Sequence, residues 1–330
     1  MRVVVDAMGG DRAPGAVIEG IKQFVAEKST DLDVVVVGRQ DVLEEACSGL
    51  PVTIVHAPDV VGMHESPSVA VKTRPHSSIA VAMSLLKQGK ADALISMGHS
   101  GATVAFGVFG LGRMNHLLRP AIVAPMPTQN GYSLVLDVGA VVDCKPAHLL
   151  QFAAMGSVYS RSVFGVDNPK VGILSIGEEE SKGNELTFET AKLLKKAPLN
   201  FIGNIEGVDI MRGTADVVVC DGFVGNIILK FGEGLVELFA RALKLEAEEV
   251  LSRNVDSAHR GALLKETMQR VDYTAYGGAL LLGLKGHCLI GHGRSNPRAI
   301  ANGIRAAGMA ASKCPSSEIQ KALDSVQSLI

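Results

Sequence analysis

The sequence predicts an α/β fold of three layers, in which a largely parallel sheet lies between two layers of helices. Short apolar, β-branched runs alternate with longer segments of helical periodicity, as is typical of βαβ units. Several runs are apolar at every position, as at Val34–Val37, which is expected of strands that helices cover on both faces. Turns rich in Gly, Asp, Asn or Ser follow nearly every run, and ligands of such sheets bind at the carboxyl ends of strands.

The predicted strands occur at intervals along the chain. They are Val3–Val5, Val34–Val37, Val52–Val55, Ala93–Ile95, Ile122–Ala124, Leu134–Leu136, Val171–Ile176 and Val217–Val219. No linker or internal repeat separates two independent units. We therefore predict one domain of two interleaved lobes, with residues 1–119 and 276–330 in the first and residues 120–275 in the second.

Apolar residues recur at helical spacing from Gly225 to about Leu251 and predict one long amphipathic helix. A second helical stretch at residues 261–270 follows a polar break, so the two are expected to form a projecting helical hairpin. The hairpin is interpreted either as a dimerisation arm or as a helix pair on the core. Its tip, Val250–Leu264, is the expected place for a weak and reversible membrane contact.

Composition excludes several classes of protein. Of the 330 residues, 47% are hydrophobic and 20% charged, which excludes a disordered or fibrous chain. A formal net charge of −2 offers no basic surface to nucleic acid. The acidic start and short apolar stretches predict neither an export signal nor a membrane span, so we expect a cytoplasmic protein with at most peripheral contact at the inner face of the membrane. The five dispersed cysteines are typical of a reducing compartment.

The first candidate ligand-binding turn is VDAMGGDRAPG, where a strand ends at Asp6 and a Gly-Gly pair follows. Gly9 and Gly10 allow backbone N–H groups to approach a ligand, and the helix that begins near Pro14 favours an anion at its N-terminus. We predict that Asp6, Gly9 and Gly10 bind substrate, although an ordinary βα turn has the same pattern.

The second turn, SMGHSGAT at residues 96–103, also joins a strand to a helix. The hydroxyl of Ser100 is a donor for an oxyanion or phosphate, and Gly101 keeps the backbone accessible. The segment matches neither GxxxxGK[ST] nor GxGxxG, so no nucleotide cofactor is expected.

The third turn, LDVGAVVDCKPAHL at residues 136–149, brings Asp137, Asp143 and Lys145 together before a helix at Pro146. Lys145 is predicted to contact substrate. Cys144 is a candidate acyl-accepting nucleophile, because a neighbouring lysine and a helix start would lower its pKa, but lone cysteines are more often buried and inert.

The fourth turn, SIGEEESKGNE at residues 175–185, is densely charged. Such a run is usually a solvated face. Lys182, however, lies between acids and a glycine at the carboxyl end of a strand, where a positive charge can bind an anionic ligand. We predict that Lys182 and the nearby Asn184 contact substrate.

The fifth site combines GNIEGVD at residues 203–209 with CDGFVGNIILK at residues 220–230. The second segment opens the long helix, whose unpaired N–H groups and positive dipole end face the turn. The predicted ligand-binding residues are Asn204, Glu206, Asp221, Gly222, Gly225 and Asn226.

These segments together resemble the PlsX family of phosphate acyltransferases. The shared motifs are DAMGGD, LDVGA-x-VDCKP-x-HL-x-QFA-x-MGS, GEEE-x-KGN, IGN-x-EG, CDGFVGN, DYTAYGGALLLGLKG and HGRSN, which span essentially the whole chain. The resemblance implies a fold similar to isopropylmalate dehydrogenase and phosphotransacetylase, a homodimer, and conversion of acyl-(acyl carrier protein) and inorganic phosphate to acyl-phosphate. Acyl-phosphate would serve phosphatidic acid synthesis through a downstream membrane glycerol-3-phosphate acyltransferase.

Three positions depart from the family pattern. Val141 and His99 stand where asparagine is common, and TRPHSSI at residues 73–79 lacks the Lys-Asp pair that commonly precedes Ser-Ser. The departures at Val141 and His99 affect the details of substrate binding that the resemblance implies. The third implies that a basic docking surface for the acidic carrier protein is weaker or lies elsewhere.

The implied reaction needs a cradle for phosphate and donors for the oxyanion, whereas a strong base matters less because phosphate is already anionic. We assign Lys182 and the helix start at Gly225 and Asn226 to phosphate and to transition-state charge. Asn204 and Ser100 are supporting donors.

Glu206 and Asp221 are expected to orient these groups. No metal or other cofactor is expected, since the acids lie on separate turns without compact ligand spacing. Three alternatives remain: a short-chain phosphotransacylase that uses coenzyme A, an NAD-linked decarboxylating dehydrogenase, and a non-catalytic membrane-associated adaptor for lipid synthesis, which would not need five polar turns.

Overall fold

The computed structural model describes residues 1–27, 31–129, 131–252 and 277–330. In these ranges, strands β1 to β11 are Arg2–Asp6, Asp33–Gly38, Val52–His56, Ala93–Ser96, Ala121–Thr128, Gly131–Leu136, Lys170–Leu174, Asn200–Ile205, Val217–Val219, Ala279–Leu282 and His287–Ile290. Helices α1 to α11 are Gly15–Ala26, Gln40–Ala46, Pro67–Thr73, Ser78–Lys87, Ser100–Phe106, Pro146–Phe164, Glu185–Leu194, Gly207–Arg212, Gly222–Ser252, Pro297–Lys313 and Ser316–Val326. A π-helical turn, Gly107–Leu111, continues α5, and a 3-10 turn, Gln327–Leu329, follows α11.

All of these strands belong to one sheet, in the order β3-β2-β1-β4-β11-β10-β5-β6-β9-β7-β8. Neighbours are parallel except that β10 is antiparallel to β11 and β5, and β5 is antiparallel to β6. The mostly parallel sheet with helices on its faces confirms the predicted fold class. Strands from residues 1–119 and 276–330 form one half of the sheet and strands from residues 120–275 the other. The division into two lobes itself stays a prediction.

Strand β1 shows why the strands are apolar throughout. Val3 and Val5 belong to the core on one face of the sheet, and Val4 belongs to the core on the other. Each such side chain contributes roughly 1.5–3 kcal/mol by leaving water. On the first of these faces, α6 is buried at every position from 148 to 160, because it packs against the sheet, α7, α10 and α11. This double-sided core holds the strand-end turns on a rigid base.

The sequence does not predict strands β8, β10 and β11. The pairing of β7 with β8 shifts register between Val171 and Gly172, and Gly203 has a φ of 101°, so β8 lacks regular alternation. The expectation of a turn at Gly203 and Asn204 is therefore wrong, since both lie in this strand. Strands β10 and β11 have the sequences ALLL and HCLI, which lack the β-branched runs that identified most of the other strands.

The long predicted helix is present as α9, Gly222–Ser252. Ile228 and Leu229 pack against the core, whereas five large apolar side chains of this helix, Phe239 among them, are between 52% and 66% exposed. The other four lie on one side of the helix and are called the α9 stripe: Phe223, Ile227, Phe231 and Leu238. The second predicted helix, residues 261–270, and the predicted tip beyond Ser252 lie outside the described residues. Within the described part of the chain, no helix has both the length and the apolar character needed to cross a bilayer.

Candidate active site

A cavity of about 550 Å³ lies over the middle of the sheet. Its walls come from the start of α5, strand β5, the turn after β6, helix α9 and the segment 277–299. The polar side chains that line it are His99, Ser100, Asn226, Lys230, Glu233, His292 and Ser295. Of the predicted site residues, Ser100, Gly101 and Asn226 line this cavity. The others lie in the strand ends, turns and helix starts described below.

The turn after β1 packs against the turn after β4. Oδ2 of the buried Asp6 accepts a 2.7 Å hydrogen bond from Ser96, and burial raises the pKa of this carboxyl above its usual value. A Cβ atom on Gly9 would lie 2.8 Å from Asp6 and from the backbone of Gly98, and Gly10 has a φ of 111°. Asp6, Gly9 and Gly10 thus support the second turn and do not line the cavity.

His99 caps helix α5, since its Nδ1 accepts a 3.1 Å hydrogen bond from the N–H of Ala102. The neutral ring must then carry its proton on Nε2. A Cβ atom on Gly101 would lie 2.9 Å from the His99 ring, so glycine is needed there. Histidine therefore provides the capping acceptor that asparagine would otherwise provide at this position, and it places Ser100 on the cavity wall.

The turn after β6 is organised by Asp137. Its carboxylate accepts hydrogen bonds from the N–H groups of Ile122 and residues 139–141, at 2.6–3.1 Å. Burial raises the pKa of Asp137 to about 6, against the opposing effect of these four hydrogen bonds. The hydrogen bonds of Val141 in this turn come from its backbone, since its carbonyl also accepts a 2.8 Å hydrogen bond from the N–H of Gly222. The departure from asparagine at 141 leaves these backbone contacts in place.

Helix α9 begins in contact with this turn. Oδ1 of Asp221 accepts hydrogen bonds from two N–H groups of the first helical turn and so caps the helix. A Cβ atom on Gly222 would lie 2.6 Å from the carboxylate of Asp137, and one on Gly225 would overlap the carbonyl oxygen of Asp137. These residues dock the helix, and Asn226 is the first side chain of α9 that lines the cavity.

The cavity face of α9 continues beyond Asn226. Lys230 and Glu233 follow at helical spacing and line the same cavity. Oε1 of Glu233 lies 2.6 Å from Nε2 of His292, in the turn after β11. The sequence interpretation missed these three residues. The spacing from Asn226 is a signal that could have identified Lys230 and Glu233, but the pairing across 59 residues requires the fold.

Lys182 lies in a well-fixed turn after β7. Nδ2 of Asn204 donates to the carbonyl oxygens of Glu179 and Lys182 at 2.9 and 3.0 Å. A Cβ atom on Gly177 would lie 2.7 Å from the Lys182 side chain. The Lys182 side chain is exposed and does not line the cavity. Strands β7 and β9 are parallel neighbours, so this turn and the start of α9 emerge at the same edge of the sheet.

Three further predicted residues stand at helix starts outside the cavity. Asn184, Lys145 and Glu206 directly precede α7, α6 and α8. Oδ1 of Asn184 accepts a 3.0 Å hydrogen bond from the N–H of Thr187, and the N–H of Lys145 donates to Nδ1 of His148. The contacts shown are those of helix caps.

Acids that are dispersed in the sequence do converge in one place. Within the described ranges, one group of three metal-ligand types has its atoms within 4.8 Å of one another: Glu178, Glu206 and Asp209. Asp209 is already bonded to Arg212 and Thr214. An acidic cluster whose buried member has protein partners does not define a metal site, and the expectation of no metal stays a prediction.

The idea of an activated Cys144 is wrong. Burial, followed by the nearby Asp137, raises the pKa of this thiol to about 12, whereas Lys145 was expected to lower it. Sγ of Cys144 instead donates to the carbonyl of Val141 at 3.5 Å. The thiol stays protonated near neutral pH and lacks the thiolate that a nucleophile needs.

Sequence comparison identifies relatives over nearly the whole chain. The model of a family described as "Fatty acid synthesis protein" matches residues 1–317. The phosphate acyltransferase of Desulforudis audaxviator (strain MP104C) is 49% identical over 311 residues, which cover 94% of this chain and 92% of the relative. The phosphate acyltransferase of Geobacter sp. (strain M21) is 51% identical over 310 residues, which cover 92% of this chain and 88% of the relative.

Solved structures share the fold at much lower identity. A phosphotransacetylase from Streptococcus pyogenes has a TM-score of 0.61 at 16% identity and covers 98% of this chain and 94% of its own. A branched-chain phosphotransacylase from Enterococcus faecalis V583 has a TM-score of 0.61 at 15% identity and covers 95% of this chain and 99% of its own. These structures show the fold, and the relatives near 50% identity show the family. The chain is an enzyme that belongs to the phosphate acyltransferase family.

Proposed function

We propose that this enzyme transfers the acyl group of an acyl-(acyl carrier protein) to inorganic phosphate, making acyl-phosphate for phosphatidic acid and phospholipid synthesis. The observation that carries the proposal is the cavity, which joins an apolar wall to a polar one. Ile122, Ala124 and Val138 line one part, and Ser100 and Asn226 line another. A thioester acyl chain favours the first, whereas phosphate and a developing oxyanion need the donors of the second.

Phosphate arrives as an anion, so the enzyme needs to position it more than to deprotonate it. Asn226 donates from the first turns of α9, where the helix dipole also favours an anion. Lys182 adds a point charge from the neighbouring turn. Asn204 is a positioning residue here, because its amide group is engaged by the carbonyls of the Lys182 turn. Ser100 is the supporting donor for the oxyanion.

The reaction balances without a redox partner. A phosphate oxygen attacks the carbonyl carbon, the carbonyl oxygen gains charge, and the C–S bond then breaks to release the carrier thiolate. The proton that monohydrogen phosphate loses on becoming acyl-phosphate matches the proton that the thiolate gains. The chain's own task is therefore to bind, orient and stabilise charge, and we propose that it needs neither a metal nor another cofactor.

The proposed donor requires a docking surface for an acidic carrier protein. Residues 73–79 offer little unpaired positive charge to the carrier protein, since Nε of Arg74 lies 3.2 Å from the carboxylate of Glu65. We expect the docking surface to lie elsewhere on the molecule.

We further propose a homodimer that forms through the α9 stripe. Four large apolar side chains on one side of a helix, each more than half exposed, are typical of a surface that a partner covers. A cytoplasmic dimer in peripheral contact with the inner face of the membrane would deliver its product to a downstream membrane glycerol-3-phosphate acyltransferase.

A short-chain phosphotransacylase that uses coenzyme A is the second candidate, favoured by the shared fold with the two solved structures. Membership of an acyltransferase family argues against the NAD-linked dehydrogenase and the non-catalytic adaptor.

Trapping of acyl-phosphate by hydroxylamine separates the two candidates. We expect acyl hydroxamate to form from acyl-(acyl carrier protein) only when phosphate is present, at a rate unchanged by chelator or by omission of nucleotide. Faster turnover of short-chain acyl-coenzyme A would favour the second candidate. Loss of activity in chelator, restored by magnesium, would show that a metal is required.

A further inference from the structure

Lys230 is the one Lys or Arg side chain among the described residues that line the cavity. It lies four residues after Asn226, which is about one turn of α9, so both side chains occupy the same face of the helix. The side chain is exposed and is thus accessible from solvent as well as from the cavity. A positive charge stands beside the amide already assigned to phosphate.

The nearest acid on the helix does not neutralise this charge. Glu233 is three residues from Lys230, the spacing at which Lys22–Glu19, Lys192–Glu189 and Lys321–Glu318 form ion pairs elsewhere in this chain. Glu233 instead binds His292 at 2.6 Å. Within the described ranges, no carboxylate lies within ion-pair distance of the Lys230 ammonium.

The Glu233 side chain is also largely shielded from solvent, with 14% of it exposed. A carboxylate that is mostly removed from water needs a hydrogen-bonding partner, and His292 provides one from a different strand-end turn. The contact with His292 therefore has two effects: it satisfies Glu233, and it keeps that negative charge off the neighbouring lysine.

We propose that Lys230 binds inorganic phosphate in the cavity, together with Asn226, and that the Glu233–His292 pair keeps Lys230 available for this anion. The inference rests on the proposed function and deepens it by naming the phosphate contact inside the cavity, whereas Lys182 acts from the turn outside. A lysine ammonium with three donors and a neutral amide one turn away form a compact site for a phosphoryl oxyanion.

Binding of phosphate can be measured without the acyl donor. The phosphate-dependent rise in unfolding temperature, at matched ionic strength, reports binding to the folded chain. We expect this rise in the wild type and in the Lys196→Gln control, an exposed lysine on another surface. Lys230→Gln should lose most of it, and Lys230→Arg should keep a substantial part.

Steady-state kinetics identify which substrate the lysine contacts. Lys230→Gln should raise the KM for phosphate by roughly tenfold or more, as expected for loss of a charged contact, with little change in the KM for the acyl donor. A raised KM for the donor alone would assign Lys230 to the donor and overturn the proposal.

The Glu233–His292 pair provides an independent test. His292→Asn should release the Glu233 carboxylate toward Lys230 and weaken phosphate binding. The double change His292→Asn with Glu233→Gln should restore binding toward the wild-type value, because the competing charge is gone. A double variant as weak as His292→Asn would contradict this positioning role.

Failure of the proposed function gives a different result. If the wild type makes no acyl-phosphate but its phosphate-dependent stabilisation still requires Lys230, the function is wrong and the phosphate site stands. If acyl-phosphate forms and Lys230→Gln leaves both the stabilisation and the KM for phosphate unchanged, the phosphate site is wrong and the function stands.

Discussion

The α-carbon of Gly225 lies so close to the carbonyl oxygen of Asp137 that a Cβ atom at residue 225 would overlap this oxygen. The start of α9 is thereby fixed against the turn after β6. Because Asn226 is the next residue, its position in the cavity depends on this contact.

Gly225→Ala should destabilise the protein by about 2 kcal/mol or more, since overpacking against rigid backbone forces a shift. Turnover should also fall as Asn226 is displaced. Gly234→Ala is the matched control on the same helix, because no atom of the described residues outside the local helix backbone lies within 4 Å of the added Cβ. It should be neutral or stabilising by up to about 1 kcal/mol. Urea unfolding and acyl-phosphate formation measure both variants, and similar behaviour of the two would contradict the contact.

Lys182→Ala and Asn226→Ala should each lower turnover on the order of 10²-fold, with thermal unfolding little changed. If both residues contact one phosphate, the double variant should lose less than the product of the single losses. Single-turnover rates of the wild type, the two single variants and the double variant measure this double-mutant cycle. Strict multiplicativity, or normal turnover in Lys182→Ala, would reject a shared phosphate.

Asn204→Ala removes both hydrogen bonds that hold the carbonyls of the Lys182 turn. We expect a fall in kcat smaller than that of Lys182→Ala. Adding Asn204→Ala to Lys182→Ala should cause no further loss, since a residue that acts through Lys182 has nothing left to position. Additive effects in the double variant would instead indicate that Asn204 contacts substrate directly.

Asp137 makes stability depend on pH. Its pKa is raised by burial from 3.8 to about 6, so the folded chain holds this proton more tightly than the unfolded chain. Its contribution to the free energy of unfolding is full below about pH 4 and is lost as the pH rises through about 6, a change of about 3 kcal/mol.

Asp137→Asn is the reference for this effect, since it cannot ionise and shares all other titrating groups, including Asp6. The free energy of unfolding of the wild type minus that of the variant should fall between pH 4 and 6 and stay constant above pH 7. A difference that rises with pH would mean that the four N–H donors outweigh burial.

Phe231→Glu should dissociate the proposed dimer. Phe231 is 66% exposed at the middle of the α9 stripe, and a buried unpaired carboxylate there would strongly oppose association. Phe109→Glu, at a side chain 73% exposed outside α9, is the control. Light scattering should give a dimer for the wild type and control and a monomer for Phe231→Glu. A monomeric wild type would refute the interface.

Local sequence patterns predict much of this fold but only part of the candidate site. Strand β2 is apolar at four consecutive positions, Val34–Val37, and needs no partner to be recognised. The four-residue β10 and β11 become strands only because β4 and β5 provide hydrogen-bonding edges on either side.

The same distinction applies to the site. Asn226 stands in a recognisable glycine-rich helix start, and it does line the cavity. Lys145 beside Cys144 suggested a lowered thiol pKa, but burial, which a linear pattern does not reveal, has the larger effect. The pairing of Glu233 with His292 likewise depends on two segments that only the sheet brings together.

The central position of β10 and β11 constrains the order in which the sheet can be completed during synthesis. β4 finishes at Ser96 and β5 at Thr128, yet their missing neighbours are encoded at Ala279–Leu282 and His287–Ile290. A nascent chain that ends before residue 279 leaves one edge of β4 and one edge of β5 without hydrogen-bonding partners, and unpaired edges are prone to association. The two halves of the sheet therefore join late, after residues 279–290 have left the ribosome.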